Sequence, residues 1–199
     1  MKIIALTGSI GMGKSTAAAM LRRLGVPVYC ADEAVHKLMR GGGKAVASVG
    51  RLHPAALKKT AGKKAFIDRA VLGRAAFHDK KLMKKLEAIL HPLVRLEEKA
   101  FLKRAKAGGA KVAVLDIPLL FETGGEKRVD EVIVVTAPAA VQAARVMARP
   151  GMTKEKLKSI LARQMPDAEK RKRADVVVQT GKGRAHTIKQ LKKVLHETR

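Results

Sequence analysis

The chain has 199 residues, with 42 Lys and Arg against 17 Asp and Glu, and its formal charge of +25 selects anionic partners: nucleotides, nucleic acid or a membrane surface. One cysteine, Cys30, excludes an internal disulfide framework and fits a reducing compartment. The first apolar run breaks at Thr7 and Gly8, and "VAVLDIPLLF" is interrupted by Asp116 and Pro118, so neither a signal peptide nor a membrane span is expected; the expected location is cytoplasmic.

The first element is a strand, "KIIAL", followed at once by "LTGSIGMGKST". From Gly8 this satisfies G-x-x-x-x-G-K-[ST], with Gly13, Lys14 and Ser15 at the required spacing. Glycines let successive N–H groups curl toward phosphate oxygens, and side chains at Gly11 or Gly13 would obstruct that approach. The apolar helix "STAAAMLRRL" adds the positive end of its dipole. In such a loop the Lys14 ammonium reaches the β and γ phosphates, and the Ser15 hydroxyl ligates Mg2+. A strand before and a helix after distinguish a nucleotide site from a glycine-rich turn.

Further strands are expected at "VPVYC", "KVAVLD", "EVIVVT" and "DVVVQT", with helices between them. This alternation is the pattern of a parallel, doubly covered α/β sheet. A long helix is expected from about Asp79 to Lys106, where Leu82, Leu86, Ile89, Leu90, Leu93 and Leu96 make one buried stripe that Pro92 should kink or divide. Between the second and third strands lie about eighty residues, more than one crossover helix needs, which suggests an inserted helical substrate domain. A second excursion, rich in basic residues, follows "EVIVVT" and is long enough for a lid. The expected boundaries are a core at 1–34, 110–138 and 174–199, an insertion at 35–109 and a lid at 139–173.

Ligands of such sheets bind at the C-terminal ends of strands. Asp116 ends the third strand, with the form of an acidic residue that holds Mg2+ or its water shell; a turn aspartate before Pro118 is the competing reading. Asp32 follows the second strand, where it could also cap the helix of "ADEAVHKL". His91 before Pro92 could contact substrate, but on a largely apolar helix it reads rather as a hydrogen-bonded core residue outside catalysis. Asp68, Arg69 and Arg74 read as an acceptor-binding cluster or an intrahelical ion pair, and "EKRKRAD" as a solvated face. No Cys and His spacing suits zinc, and no Ser-His-Asp set stands out.

Taken together, "LTGSIGMGKST", "ADEAVHKL", "IDRAVLGRAAFHD", "HPLV", "DIPLLFE", "QAARVMAR" and "ADVVVQTG" in this order resemble the dephospho-coenzyme A kinase family over nearly the whole chain. The resemblance implies an adenylate-kinase-like P-loop core of three α/β/α layers with a five-stranded parallel sheet, a helical acceptor domain and a small mobile lid. It implies transfer of the γ-phosphoryl group of ATP to the ribose 3′-hydroxyl of dephospho-coenzyme A. By that resemblance Gly11, Met12, Gly13, Lys14, Ser15 and Thr16 line the ATP phosphates, and Asp32 faces the acceptor hydroxyl. Arg149 lies near the transferred phosphate with Arg145 one helical turn before it, both projecting from one face, and Arg145 is expected to bind ATP with the loop residues.

Three positions depart from the family pattern: Cys30 where an aspartate is usual, Ser9 in place of a common glycine and tolerated if it faces outward, and "QTG" where Asp-Asn is frequent. The competing functions are another small-molecule P-loop kinase, such as a nucleoside monophosphate or shikimate-like kinase, and a nucleic-acid-binding P-loop NTPase. Against the last, Tyr29 and four Phe offer little stacking platform, so nucleic-acid binding is expected to be incidental. A monomer with no membrane partner is expected.

Overall fold

The computed structural model describes residues 1–197. In chain order its elements are β1 (Lys2–Thr7), α1 (Lys14–Arg23), β2 (Val28–Cys30), α2 (Ala31–Met39), α3 (Val46–Leu52), β3 (Leu57–Lys58), β4 (Phe66–Ile67), α4 (Arg69–His78), α5 (Lys80–Ala107), β5 (Val112–Asp116), β6 (Glu131–Thr136), α6 (Ala139–Met147), α7 (Lys154–Leu161), α8 (Asp167–Lys172), β7 (Val176–Gln179) and α9 (Arg184–Glu197). They form two compact units: Met1–Cys30 with Arg104–Arg199, and Ala31–Lys103.

The first unit is built on a five-stranded sheet of order β2-β5-β1-β6-β7, with every pairing parallel. Its strands are apolar on both faces because both are covered. Ile4, Leu6, Val114, Ile133, Val135 and Val178 point to a core completed by Ala17 and Leu21 of α1 and Leu191 of α9. The alternate residues Ala5, Val132 and Val134 point the other way, against Leu120, Phe121, Met165 and Ala174. All five strands expected from the sequence are present. The second begins only at Val28: Pro27 has no N–H to donate, although its carbonyl accepts the Val114 N–H at 2.9 Å.

The second unit packs Leu38, Val49, Ile67, Leu72, Leu86 and Leu90 into its own core. Besides the expected helices it contains a short antiparallel hairpin, β3–β4, which periodicity could not reveal in strands of two residues each. The long helix runs unbroken through Pro92 instead of being divided there. Pro92 and Ala88, whose carbonyl the missing N–H would have bonded, are both exposed, so the lost bond lies on the solvent side. The stripe is also shorter than expected. Leu86 and Leu90 are buried, but Leu96 is 59% exposed, so the covered stripe ends before it. His91 is exposed as well, not a core histidine.

Asp68 is the N-cap of α4, accepting the N–H groups of Ala70 at 2.9 Å and Val71 at 3.1 Å, while Arg69 turns to His36 Nδ1 at 2.7 Å. Those two residues therefore do not form an intrahelical ion pair. Because the guanidinium can only donate, that histidine nitrogen carries the lone pair. Burial, and after it the charges of Arg69 and Arg40, hold the His36 pKa below its ordinary value.

Candidate active site

Between β1 and α1 the loop lies so close to its surroundings that only glycine fits at three positions. A Cβ on Gly8 would sit 2.6 Å from both the Cγ2 and the carbonyl oxygen of Val135; one on Gly11 would lie 2.6 Å from Val146 Cγ2; and one on Gly13 would lie 2.9 Å from Thr180 Oγ1. Gly11 and Gly13 also have φ of 77° and 87°, the left-handed region. Gly13 is the N-cap of α1 and offers no side chain to its first turn, so that helix end keeps its N–H groups for an anion. Ser15 and Thr16 in that turn are exposed.

Lys14 is ion-paired with Asp116. Parallel register explains the meeting: Asp116 ends β5 opposite Leu6, one residue before the loop begins at the end of β1. Asp116 is only 3% exposed and its partner is the Lys14 ammonium of the loop, so its carboxylate is engaged across the strand ends and is not left to a local turn. Cys30 is its register partner on the other side, in β2.

Much of the support for the loop was not visible in the sequence. Thr180 Oγ1 donates to the Met12 carbonyl at 2.8 Å, Gln142 Nε2 donates to the Ile10 carbonyl at 2.7 Å, and Gln164 Oε1 accepts the Ile10 N–H at 3.1 Å. The signal for Thr180 was the departure "QTG"; the two glutamines gave none. Ser9 is buried at 4% exposure, so it is accommodated inside the loop instead of facing outward.

Arg145 joins this scaffold: Nη1 donates to Thr180 Oγ1 at 2.9 Å, and Nη2 to the Thr180 carbonyl at 2.8 Å. Arg149 is exposed and follows the end of α6 at Met147, so the two arginines do not project from one helical face. Asp32 belongs to the second unit. It is the second residue of α2, exposed, and not an N-cap, because the helix begins at Ala31 directly after β2.

"EKRKRAD" is not a uniformly solvated face. The Lys170 side chain is 0% exposed and pairs with Glu122 Oε1 at 2.8 Å. Burial pushes the Glu122 pKa up, but the bonds from Lys170 and from the Met165 N–H outweigh it and hold the carboxyl below its usual range. Among the described residues no cluster of three His, Cys, Asp or Glu could hold a metal by itself.

The family model for dephospho-CoA kinase matches residues 2–185. The chain belongs to the dephospho-CoA kinase family. It is 58% identical to the dephospho-CoA kinase of Paramagnetospirillum magneticum over 86% of this chain and 78% of that one. With the Brucella melitensis dephospho-CoA kinase it shares 54% identity, over 90% of this chain and 86% of the relative. Among solved structures, the Campylobacter jejuni dephospho-CoA kinase superposes with a TM-score of 0.66 at 27% identity, covering 99% of this chain and 97% of that one. A Thermus thermophilus protein reaches a TM-score of 0.84 at 38% identity, covering 98% and 97%. This family is the one that the ordered motifs of the sequence resemble.

Proposed function

We propose that this chain transfers the γ-phosphoryl group of ATP to the ribose 3′-hydroxyl of dephospho-coenzyme A, giving coenzyme A and ADP. The observation that carries the reading is the glycine-built loop with Lys14 paired to Asp116, in a member of this family. Residues Gly8, Gly11, Met12, Gly13, Lys14, Ser15 and Thr16 cradle the phosphates, and Arg145, expected to bind ATP, also braces the loop through Thr180 and the Gly11 carbonyl. In the transfer the bond from the γ phosphorus to the β–γ bridging oxygen breaks, and one from the 3′ oxygen forms. The hydroxyl proton passes to Asp32, and ADP leaves with the bridging oxygen. Lys14 and Arg149 stabilise charge on the moving group.

Mg2+ fits the oxygen donors available, the exposed Ser15 hydroxyl and the Asp116 carboxylate, since this ion takes few protein ligands and leaves the rest to water and phosphate. When bound it supplies neutralisation of phosphate charge. The unit Ala31–Lys103 serves as the acceptor domain, supported by its separate core, and 139–173 as the lid, its two ends tied to the phosphate loop through Gln142 and Gln164. We also infer a cytoplasmic monomer; no helix of the described residues is long and apolar enough to cross a membrane.

The test is a panel of acceptors incubated with Mg-ATP and read by mass. Dephospho-coenzyme A should gain one phosphoryl group, while shikimate and nucleoside monophosphates stay unchanged. Lys14→Ala should lower turnover about 10²- to 10³-fold, and because it leaves the buried Asp116 carboxylate without its partner the thermal midpoint should fall too, so rates are compared where the variant is still folded. Phosphorylation of a different acceptor would refute the assignment.

A further inference from the structure

Among the described residues, the most enclosed cation lies outside the proposed catalytic set. Lys170 sits in α8, and its side chain is completely buried, against a Glu122 side chain that is 17% exposed. Removing a charge from water in this way carries a desolvation cost that the ion-pair attraction can fail to return, so this pair is weak evidence for a stabilising role.

Two chains of bonds meet at this ammonium. In one, Nζ points to the Pro118 carbonyl at 3.5 Å, and that same carbonyl accepts the Thr7 hydroxyl at 3.2 Å. Pro118 is two residues beyond Asp116, and Thr7 is the residue before Gly8. In the other, Glu122 Oε1 takes both Lys170 Nζ and the Met165 N–H, the latter at 2.8 Å, and the neighbouring Gln164 accepts the Ile10 N–H of the P-loop. The loop is thus held near Thr7 and at Ile10 by strings that converge on one side chain.

Lys170 is not needed to dock α8. Asp167, at the start of that helix, accepts the Thr136 hydroxyl at 2.8 Å, and Asp175, just past its end, accepts the Val132 N–H at 2.7 Å. Both flanks of α8 are therefore tied to β6 independently. What Lys170 adds is a hold on the segment Asp116–Glu122 and on Gln164.

We propose that Lys170, paired with Glu122, is a positioning residue for phosphoryl transfer, setting the P-loop and Asp116 relative to each other without touching nucleotide. The inference rests on the kinase reading for its rate readout but not for its binding readout. Misplacing a phosphate cradle slightly costs rate steeply, because transfer depends on alignment.

The experiment compares Lys170→Met, which leaves Glu122 unpaired, with the double variant Lys170→Met/Glu122→Met, which leaves no unpaired charge at that position. Each is measured for thermal midpoint, ADP affinity by calorimetry, and kcat and KM for both substrates. The double variant is expected to recover the wild-type midpoint. Its kcat and ADP affinity should remain about 10- to 100-fold lower, with KM for dephospho-coenzyme A unchanged. Recovery of kcat and ADP affinity along with the midpoint would show the pair to be a stability element only and overturn the proposal. So would undiminished values in Lys170→Met, or failure of the double variant to fold. If wild-type protein binds ADP but ignores dephospho-coenzyme A, the acceptor assignment fails while the ADP comparison still decides this one.

Discussion

Asp32 and Arg149 are exposed, whereas Lys14, Asp116 and Arg145 are engaged with the scaffold. That difference sets what each substitution should do. Asp32→Asn keeps the shape and removes the base, so single-turnover transfer at saturating substrates should fall roughly 10²- to 10⁴-fold while acceptor binding, measured separately, changes little. Near-wild-type single-turnover rates in both Asp32→Asn and Asp32→Ala would remove it from the mechanism. For Arg149, the Ala variant should lose kcat more than acceptor affinity, and Lys should restore only part of it, since a point charge lacks the planar two-pronged contact. Full rescue by Lys would leave a purely electrostatic role. The P-loop was legible residue by residue because its chemistry is local, four positions within eight residues. Thr180, Gln142 and Gln164 were not, because each meets that loop from more than a hundred residues away.

At the scale of elements, α2 and α4 are joined through His36 and Arg69. The histidine pKa is depressed in the folded state by burial first and by nearby arginines next, so the unfolded chain takes up its proton at a higher pH than the folded one. The stability this contributes is complete above the ordinary histidine value, about 6.5, and is lost as pH falls through the lowered folded value. A melting series from pH 7.5 to 5 should therefore decline on the acid side, and less so in His36→Gln, whose amide oxygen still accepts from Arg69. An identical decline in both proteins would place the titration elsewhere. Helix α5 illustrates what periodicity conveys. Its extent was readable to within a residue at each end, but the exposure of Leu96 and His91 and the passage through Pro92 depended on which arc of the helix the α2–α4 core covers.

For the whole molecule, the charge of +25 is spread over the surface, and α5 carries part of it: Lys81, Lys84, Lys85, Arg95, Lys99 and Lys103 are all exposed. Charge of this kind binds phosphate backbones without reading sequence, and such binding falls steeply with salt. Affinity for a short duplex should drop by about 10³-fold or more between 50 and 200 mM salt, with no preference among sequences; selective binding that survives physiological salt would revive a nucleic-acid role. The sequence by itself determined the sheet strands, the phosphate loop and the family, because strand alternation, glycine spacing and the order of short motifs are written in neighbouring residues. Tertiary structure alone decided that Lys14 meets Asp116, that Arg145 braces Thr180, and that Lys170 is the buried member of a basic run. Those outcomes depend on parallel register and on which face of a helix is covered, and both are set by residues far away in the chain.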